Sequence, residues 1–368
     1  MLQPLLNMKP ILKNTSGKNV FVGMSGGVDS SVSAALLKHA GYNVTGVFIK
    51  VWQPEGMPCT WKDERRDAMR VAALLDIPFM TLDLEKEYKK EVVDYMIDEY
   101  KKGHTPNPDV MCNKEIKFGS FLKKALSLGA DFIATGHYAQ IKEGILAKSK
   151  DLEKDQTYFL WTLTKDQLAR TLFPIGHLTK KEVRTFAKKY SLPTFDKKDS
   201  QGLCFIGKIE MKDFLKMFVE ERPGKVVDSN GREIGHHDGA LFYTIGQRHG
   251  FTVTLKNADD APYYVVEKNV DTNVLTVAHE GEESTAVEKL SSTHFDLVDI
   301  NNSTALIKAN KKYQGRIRYR QPLQTCTILK LSDEAIEILF EEGQEAPARG
   351  QSIVIYDDEL CLGGGVIA

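Results

Sequence analysis

The sequence predicts an α/β protein: a doubly wound parallel sheet in the N-terminal part, then two smaller β-rich domains, the last a β-barrel. Over the first 200 residues, short β-prone apolar runs alternate with segments that have helical apolar spacing. After about Gly207, short strand-like runs are separated by turn-forming residues such as Asn230-Gly231. We therefore predict a flexible lead-in at residues 1–18 and domains at residues 19–207, 208–284 and 285–368.

The first strand–helix–strand unit sets the topology. Asn19–Met24 is apolar and β-prone, Ser30–Ala40 has helical spacing and is followed by Gly41, and Val44–Trp52 is strand-like again. A crossover of this kind joins parallel strands. The alternation continues through helices at Glu64–Leu75, Lys86–Lys102 and Lys114–Leu128 and strands at Phe79–Leu84 and Asp131–Thr135, and it ends with a helix opened by the capping box Thr179-Lys180-Lys181-Glu182.

The C-terminal part is predicted to be mostly short strands. Ile209–Val219 has the spacing of one further helix, and the polar stretch Gly281–Glu288 is typical of a linker. The predicted strands are Tyr263–Glu267, Val274–Ala278, Cys326–Leu331, Ala335–Phe340 and Ser352–Tyr356.

The composition is that of a globular protein. Of 368 residues, 42% are hydrophobic and 27% are charged, and 49 Lys+Arg against 50 Asp+Glu give a net charge of −1, which excludes a polybasic protein. No apolar run is long enough to span a membrane, so we expect no membrane partner. Five cysteines without a secretory signal indicate a reducing compartment, so we expect a cytoplasmic protein.

A glycine-rich segment, Gly23-Met24-Ser25-Gly26-Gly27-Val28-Asp29-Ser30, lies between the first strand and the first helix. In a parallel sheet this is the edge where ligands bind. Glycines allow a tight turn of converging N–H groups, while serine hydroxyls and a helix N-terminus add donors for phosphate. The segment is neither a Walker A loop nor a dinucleotide-binding Gly-x-Gly-x-x-Gly. Its single acid, Asp29, suits a Mg²⁺ ion held against phosphate; the alternative is a glycine-rich turn with a serine cap.

Cys112 and Cys204 stand out because each lies in a polar segment marked by Gly or Pro. We predict Cys112 in a turn just before a helix and close to Lys114, a setting that favours the thiolate. Asp109, three residues earlier, is placed to act as a base. For either cysteine alone, a buried structural thiol is the favoured interpretation, and it is the one that we give to Cys59, Cys326 and Cys361.

Charge is segregated near the C-terminus. Residues 301–330 contain seven basic side chains and no acid, whereas residues 331–360 contain nine acids and one base. Tyr313 and Tyr319 lie among the basic residues, a mixture that suits phosphate contact and base stacking. Taken alone, this stretch is better explained as a solvated strand face; taken together with the motifs described below, it predicts an RNA-binding face.

Six motifs in chain order carry a family resemblance: Gly23–Ser30, Asn107–Phe118, Ala134–Tyr138, Lys154–Tyr158, Ser200–Gly207 and Phe242–Gly250. The first resembles the Ser-Gly-Gly-x-Asp-Ser loop of ATP pyrophosphatases, which cleave ATP between the α and β phosphates. Together the motifs resemble the tRNA-specific 2-thiouridylases (MnmA/TrmU family) from about residue 19 to the C-terminus. The resemblance implies an adenine nucleotide alpha hydrolase-like first domain that uses ATP and Mg²⁺ to activate the O2 of the wobble uridine of tRNA.

The resemblance also implies how sulfur is delivered. A sulfur-relay protein or cysteine desulfurase would load Cys204 with a persulfide, and Cys112 would attack that persulfide. Attack by a second thiolate releases sulfide and leaves a disulfide between the two cysteines. Asp109 would be the third catalytic residue.

The remaining implied roles concern ATP and tRNA. The ATP-binding residues would be Gly23, Met24, Ser25, Gly26, Gly27, Val28, Asp29, Ser30, Ile49 (where members often carry Met) and Gly136. Asn107, Pro108 and Asp109 would meet the target base, and other tRNA contacts would come from His137, Lys154, Asp155, Gln156, Arg318, Tyr319 and Gln351.

Two other classes of function remain open at this point. A different ATP-loop enzyme, such as an amidotransferase-linked synthetase, argininosuccinate synthase or tRNA lysidine synthetase, needs no paired cysteines. A nucleotide-sensing or sulfur-carrier module would bind ATP without forming AMP. Another ATP-loop enzyme would stay active after exchange of Cys112 or Cys204 for Ser. A nucleotide-sensing or sulfur-carrier module would release no AMP.

Overall fold

The computed structural model describes residues 17–55, 61–198, 210–254, 261–279, 291–302 and 305–368. The chain divides into two compact units, one of residues 1–89, 110–207 and 359–361 and the other of residues 90–109, 208–358 and 362–368. The predicted lead-in (mostly), the linker, Cys59 and Cys204 lie outside the described residues. The three predicted domain boundaries stay predictions.

A parallel sheet forms the centre of the first unit. Its five strands run in the order β3-β2-β1-β4-β7, and all neighbours are parallel. The strands of this unit are β1 (Asn19–Gly23), β2 (Asn43–Lys50), β3 (Phe79–Asp83), β4 (Phe132–Ala134), the hairpin β5 (Gln140–Lys142) and β6 (Ile145–Ala147), and β7 (Thr171–Leu172). The predicted α/β class is confirmed.

Nine α-helices are assigned in the described residues of the two units. In chain order they are α1 (Val28–His39), α2 (Trp61–Leu74), α3 (Glu85–Tyr88), α4 (Tyr95–Lys101), α5 (Pro108–Met111), α6 (Leu122–Ser127), α7 (Lys165–Ala169), α8 (Lys180–Lys189) and α9 (Met211–Lys216). Two π-helical segments (Lys89–Asp94 and Cys112–Phe121) and two 3₁₀ turns (Thr157–Phe159 and Ala240–Phe242) complete the list.

Local sequence signals explain the C-terminal end of α1 and the N-terminal end of α8. Gly41 has φ 88°, and the Gly41 and Tyr42 N–H groups donate to the carbonyls of Lys38 and Leu37, which ends α1 in a Schellman motif. The predicted capping box of α8 is confirmed, since Thr179 and Glu182 exchange hydrogen bonds. Buried residues of β1, α1 and α8, including Val22, Leu36 and Phe186, share one apolar core.

The second unit contains two β structures. One is a five-stranded sheet in the order β10-β9-β8-β12-β11, made of β8 (Gly224–Val227), β9 (Glu233–His237), β10 (Thr252–Val253), β11 (Tyr263–Asn269) and β12 (Val274–His279). The other has β13 (Ser291–Asn301), β14 (Lys311–Arg316), β15 (Gln324–Leu331), β16 (Ile336–Glu345), β17 (Ser352–Asp357) and β18 (Leu360–Ile367). Because β13 pairs with both β16 and β18, these six strands close into an antiparallel barrel, as predicted.

One predicted boundary is wrong in a way that matters for the site. The helix expected at Lys114–Leu128 begins at Pro108 instead, and Pro108 suits a first helical position because its missing N–H is not needed there. Cys112 therefore lies within helical backbone and not in a turn. Gly119 fits the π-helical segment, since a Cβ there would lie 2.9 Å from the Lys114 carbonyl oxygen five residues earlier.

Candidate active site

The loop Gly23–Ser30 is a preformed turn at the carboxyl end of β1. Gly26 has φ 72°, and a Cβ there would overlap the backbone carbonyl of Glu64, so only glycine fits. The Ser25 N–H donates to Ser30 Oγ at 3.2 Å, and Ser30 Oγ donates to the Gly27 carbonyl at 3.2 Å. Gly27 is the N-cap of α1 and makes no side-chain cap, so the first N–H groups of this 12-residue helix have no capping side chain. The arrangement suits an anion at the helix N-terminus.

Gly136 lies directly against the loop. A Cβ at Gly136 would be 2.7 Å from the Ser30 nitrogen and 2.8 Å from the Asp29 carbonyl carbon, so this approach requires glycine. The structure thus brings together two segments that are more than 100 residues apart in the sequence. Of the other predicted ATP-binding residues, Met24, Val28 and Ile49 are buried.

Asp29 is held by two side chains that the sequence did not single out as functional. Lys180 Nζ lies 2.8 Å from both carboxylate oxygens of Asp29, and the Tyr138 hydroxyl donates to Asp29 Oδ1 at 2.8 Å. The Lys180 ammonium also lies 5.8 Å from the centroid of the Tyr138 ring. Asp29 therefore already has a cation, although the sequence predicted it as a ligand of Mg²⁺.

The predicted tRNA-contact segment Lys154–Gln156 is connected to the same network. Gln156 accepts a hydrogen bond from the Tyr138 N–H through Oε1 at 2.9 Å and donates its own N–H to the Tyr138 carbonyl at 2.9 Å. Asp155 is 2% exposed, and its carboxylate accepts from the Ser149 N–H and the Thr157 hydroxyl. These contacts indicate that Asp155 stabilises the turn. Lys154 and Gln156 are partly exposed to solvent.

His137 is buried and neutral. Lys117 Nζ lies 3.4 Å from its Nε2, so this nitrogen is the acceptor and Nδ1 donates to the Thr135 hydroxyl at 2.8 Å. Burial, with Lys117 as the second cause, holds the pKa of His137 well below the ordinary value of 6.5. At neutral pH, His137 can offer RNA a ring and a dipole but no charge.

Cys112 is fully buried. Lys114, the neighbour expected to favour its thiolate, is exposed and lies 3.4 Å from Glu115. The structure places Asp109 three residues earlier, in α5. Cys326 and Cys361 are free, buried thiols, as their predicted structural role requires, and burial raises the pKa of Cys326 to about 12.

In the second unit, the segment before Asn107-Pro108-Asp109 is clamped by the barrel loop Ala346–Gln351. Gln351 Nε2 donates to the Thr105 carbonyl at 2.8 Å and lies 3.4 Å from the Pro106 carbonyl. The Thr105 N–H donates to the Arg349 carbonyl at 2.7 Å. Gly350 allows this contact, because a Cβ there would lie 3.1 Å from the Thr105 backbone.

A motif in the connection between β9 and β10 contacts the same clamp. Thr244, from Phe242–Gly250, has its hydroxyl 3.4 Å from that of Thr105. Gly246, from the same motif, has φ 85°, and a Cβ there would lie 2.8 Å from the Cβ of Ala346. The motif therefore packs on both partners of the clamp and has a positioning role.

Three of the seven basic side chains at residues 301–330 are paired with acidic side chains. Antiparallel pairing brings acids from residues 331–360 onto these three lysines, in the pairs Lys311–Asp357, Lys312–Glu341 and Lys330–Glu337. Arg316 is buried and donates to the Tyr356 hydroxyl. Arg318 is exposed but donates to the Ala346 carbonyl, and exposed Arg320 lies over the Tyr319 ring. In the described residues, basic side chains of this stretch therefore lie among carboxylates and do not form a purely basic face.

Comparison with known proteins gives matches along the whole chain. Three family models match in order: tRNA methyl transferase HUP domain at residues 18–208, tRNA methyl transferase PRC-barrel domain at residues 212–279, and aminomethyltransferase beta-barrel domain at residues 288–367. The tRNA-specific 2-thiouridylase MnmA of Halalkalibacterium halodurans is 45% identical over an alignment of 365 positions that covers 96% of each chain. This chain belongs to the tRNA-specific 2-thiouridylase family.

Further 2-thiouridylases show the same extent of similarity. The protein of that name from Hahella chejuensis is 47% identical over 95% of this chain and 97% of its own. The one from Listeria monocytogenes serotype 4a is 46% identical over 96% and 95%. No described helix of this 2-thiouridylase family member has the length and apolarity needed to cross a membrane.

In this 2-thiouridylase family member, the residues around the loop are better suited to bind the phosphates of ATP than to form a Mg²⁺ site in the absence of ATP. The glycine cradle and the α1 N-terminus present donors to an anion. The one acid of the loop, Asp29, has both oxygens on Lys180, so a divalent ion would have to displace an ammonium. No step is therefore assigned to a metal.

Proposed function

We propose that this protein is an ATP-dependent tRNA 2-thiouridylase. It adenylates the O2 of the wobble uridine and replaces that oxygen with sulfur, releasing AMP and pyrophosphate. The observation that supports this proposal most strongly is the 45% identity to a curated 2-thiouridylase over 96% of both chains. The anion-binding geometry of Gly23–Ser30 supports the ATP-dependent part independently. The two alternative classes, another ATP-loop enzyme or a non-enzymatic carrier, are less well supported because the similarity extends over all three matched regions.

In the proposed nucleotide site, each group has a physical role. The Ser25 and Ser30 hydroxyls and the first N–H groups of α1 bind phosphate oxygens. Gly26 and Gly136 allow close approach of the backbone, and Ile49 lines the adenine pocket together with Met24 and Val28. Mg²⁺ accompanies ATP without a preassigned protein ligand.

In the proposed sulfur transfer, Cys204 carries a persulfide received from a sulfur-relay protein or cysteine desulfurase. The Cys112 thiolate attacks the inner sulfur, the S–S bond of the persulfide breaks, and hydrosulfide leaves while a Cys112–Cys204 disulfide forms. The hydrosulfide displaces AMP from the activated C2 of uridine, and a cellular thiol reductant restores both cysteines. Asp109 accepts the proton of the attacking thiol. Because Cys112 is fully buried, this step requires its helix to rearrange.

The proposed tRNA contacts lie in several segments of the chain. Asn107, Pro108 and Asp109 receive the flipped base. Gln351 positions this segment through its hydrogen bond to the Thr105 carbonyl. Lys154, Gln156, Arg318 and Tyr319 contact the tRNA directly, His137 contributes a neutral ring, and Asp155 acts by shaping its turn. Since tRNA is the proposed substrate, we expect the protein to act in the cytoplasm.

A persulfide-trapping assay tests the cysteine roles. Cys204→Ser should not load sulfur from a donor, whereas Cys112→Ser should load and then stall before release. Both variants should still form AMP from ATP and tRNA, because neither thiol belongs to the loop. Cys59→Ser, to which we assign no role, is the control. Equal loading of the two variants, or full thiolation by either, would overturn the assignment.

A further inference from the structure

The proposed phosphate loop has no cation of its own. Gly23–Ser30 contains no Lys or Arg, whereas a Walker A loop carries a lysine that reaches the β and γ phosphates. Polyphosphate brings several negative charges to a loop whose only charged side chain is the carboxylate of Asp29. Any side-chain cation that offsets this charge, in addition to the Mg²⁺ that accompanies ATP, therefore comes from another part of the chain.

Lys180 is positioned to supply that cation. It is the first residue of α8, and its backbone N–H donates to Asp151 Oδ2 at 2.8 Å, so its main chain is fixed by a helix and a carboxylate. From there its side chain reaches Asp29, and only 14% of that side chain is exposed, against 31% for Asp29. An ammonium is thus held at the loop, largely withdrawn from water, by an anion that borders the phosphate site.

The Lys180–Asp29 ion pair is not needed to hold the loop in its conformation. The loop backbone is fixed by other contacts: the Ser25–Ser30 hydrogen bond, the overlap-free fit of Gly26 against Glu64, and Lys197, whose ammonium donates to the Gly26 carbonyl at 3.0 Å and to Asp67 at 2.8 Å. Ion pairs of this kind contribute little to net stability. Carboxylate and phosphate oxygens are interchangeable partners for an ammonium.

We propose that Lys180 is a phosphate-binding residue of the nucleotide site, whose ammonium exchanges the Asp29 carboxylate for the polyphosphate of ATP. This inference rests on the proposed function. In the nucleotide-free protein, Asp29 keeps the ammonium in place, and the Tyr138 hydroxyl keeps Asp29 oriented. When polyphosphate binds, Lys180 turns to it and Asp29 retains the Tyr138 hydrogen bond.

Titration calorimetry with two probes tests the proposal. The probes are α,β-methylene ATP, which cannot be cleaved between its α and β phosphates, and AMP. Lys180→Ala should bind the ATP analogue about 10- to 100-fold more weakly than wild type, the loss of a charged hydrogen bond. AMP binding should change less than about threefold. Lys181→Ala, an exposed lysine one position along α8, is the matched control and should bind like wild type.

A double variant separates contact from charge neutralisation. If Lys180 only neutralises Asp29, Asp29→Asn/Lys180→Ala removes both charges and should recover wild-type affinity in the presence of EDTA. We expect the double variant to stay weak. Lys180→Met, which keeps the aliphatic stem, replaces Lys180→Ala if circular dichroism shows the latter misfolded. Wild-type affinity in the single variant, or recovery in the double variant, would overturn the inference; absence of ATP binding by wild type would contradict the proposed function instead.

Discussion

At the scale of single residues, the loop depends on positions where no side chain fits. Gly26 combines a left-handed backbone with direct contact to the Glu64 main chain, and Gly136 has a Cβ position only 2.7 Å from the Ser30 nitrogen. Both are places where backbone must approach backbone for the phosphate site to exist. Their replacement should therefore affect the nucleotide site before it affects the rest of the fold.

Gly26→Ala should abolish ATP binding and destabilise the protein more than Gly41→Ala does. Gly41 is the matched control, because it has φ 88° but no atom within 4 Å of its Cβ position. Positive φ costs both variants about 1 kcal/mol, and the overlap at Gly26 adds roughly 1–3 kcal/mol. Urea unfolding and ATP titration measure the two effects. Equal losses in the two variants would mean that the Glu64 contact is unimportant.

The buried His137 should make stability sensitive to acid. Its folded pKa lies well below 6.5, so below pH 6.5 the unfolded chain takes up a proton that the folded protein does not. The free energy of unfolding should therefore fall by about 1 kcal/mol from this residue between pH 7.5 and 5.5. His137→Gln should lose that part of the pH dependence, while His39→Gln, at an exposed position, should keep it. The same slope in all three proteins would contradict the neutral, buried state of His137.

At the scale of elements, the target-base segment is positioned from outside its own helix. Thr105 is held by Arg349, Gly350 and Gln351 of one barrel loop, and by Thr244 of the segment between β9 and β10. The resemblance implied that Gln351 contacts tRNA. The hydrogen bonds to Thr105 and Pro106 instead favour an indirect role, in which Gln351 fixes the backbone that leads into Asn107.

Gln351→Ala should lower the single-turnover rate of thiolation with little change in tRNA affinity. We expect the rate to fall about tenfold, because one hydrogen bond that orients the segment is lost. Gln314→Ala, on strand β14 of the same barrel, is the control. If tRNA affinity falls while the rate at saturation is unchanged, Gln351 acts as a direct contact and not as a clamp.

Elements were predictable from sequence where the signal was local. The capping box at Thr179 and the glycine stop at Gly41 each depend on neighbours within a few residues, and both were predicted. The start of the helix at Pro108 was missed because Asn107-Pro108-Asp109 also has the composition of a turn. The clamp at Thr105 could not be predicted, since its partners lie about 140 and 246 residues away in the sequence.

At the scale of the whole molecule, the local charge around a residue depends on partners that are distant in the sequence, and composition alone does not reveal them. The Lys180–Asp29 pair joins residues 151 positions apart, so no local motif could reveal it. The basic stretch at residues 301–330 looked continuous, yet strand pairing placed Asp357, Glu341 and Glu337 beside its lysines. Segregation of charge along the chain became mixing of charge in space.

Arg318 and Arg320 should therefore contribute more to tRNA binding than the paired lysines do. Arg318→Ala/Arg320→Ala should reduce the salt dependence of tRNA affinity by about one unit for each lost phosphate contact. Lys311→Ala/Lys312→Ala is the matched control and should change the slope less, because both lysines already have carboxylate partners. A larger loss of slope in the lysine variant would place the RNA contact on the paired lysines.

The most direct test of the central claim is mass spectrometry of nucleosides from unmodified tRNA incubated with the protein, ATP, Mg²⁺ and sulfide. We expect 2-thiouridine to appear at the wobble position, with one AMP released for each sulfur incorporated. Asp29→Ala should lose both products while keeping the fold by circular dichroism. Unmodified uridine, a methylated nucleoside, or thiolation without AMP release would contradict the assignment of this protein as an ATP-dependent tRNA 2-thiouridylase.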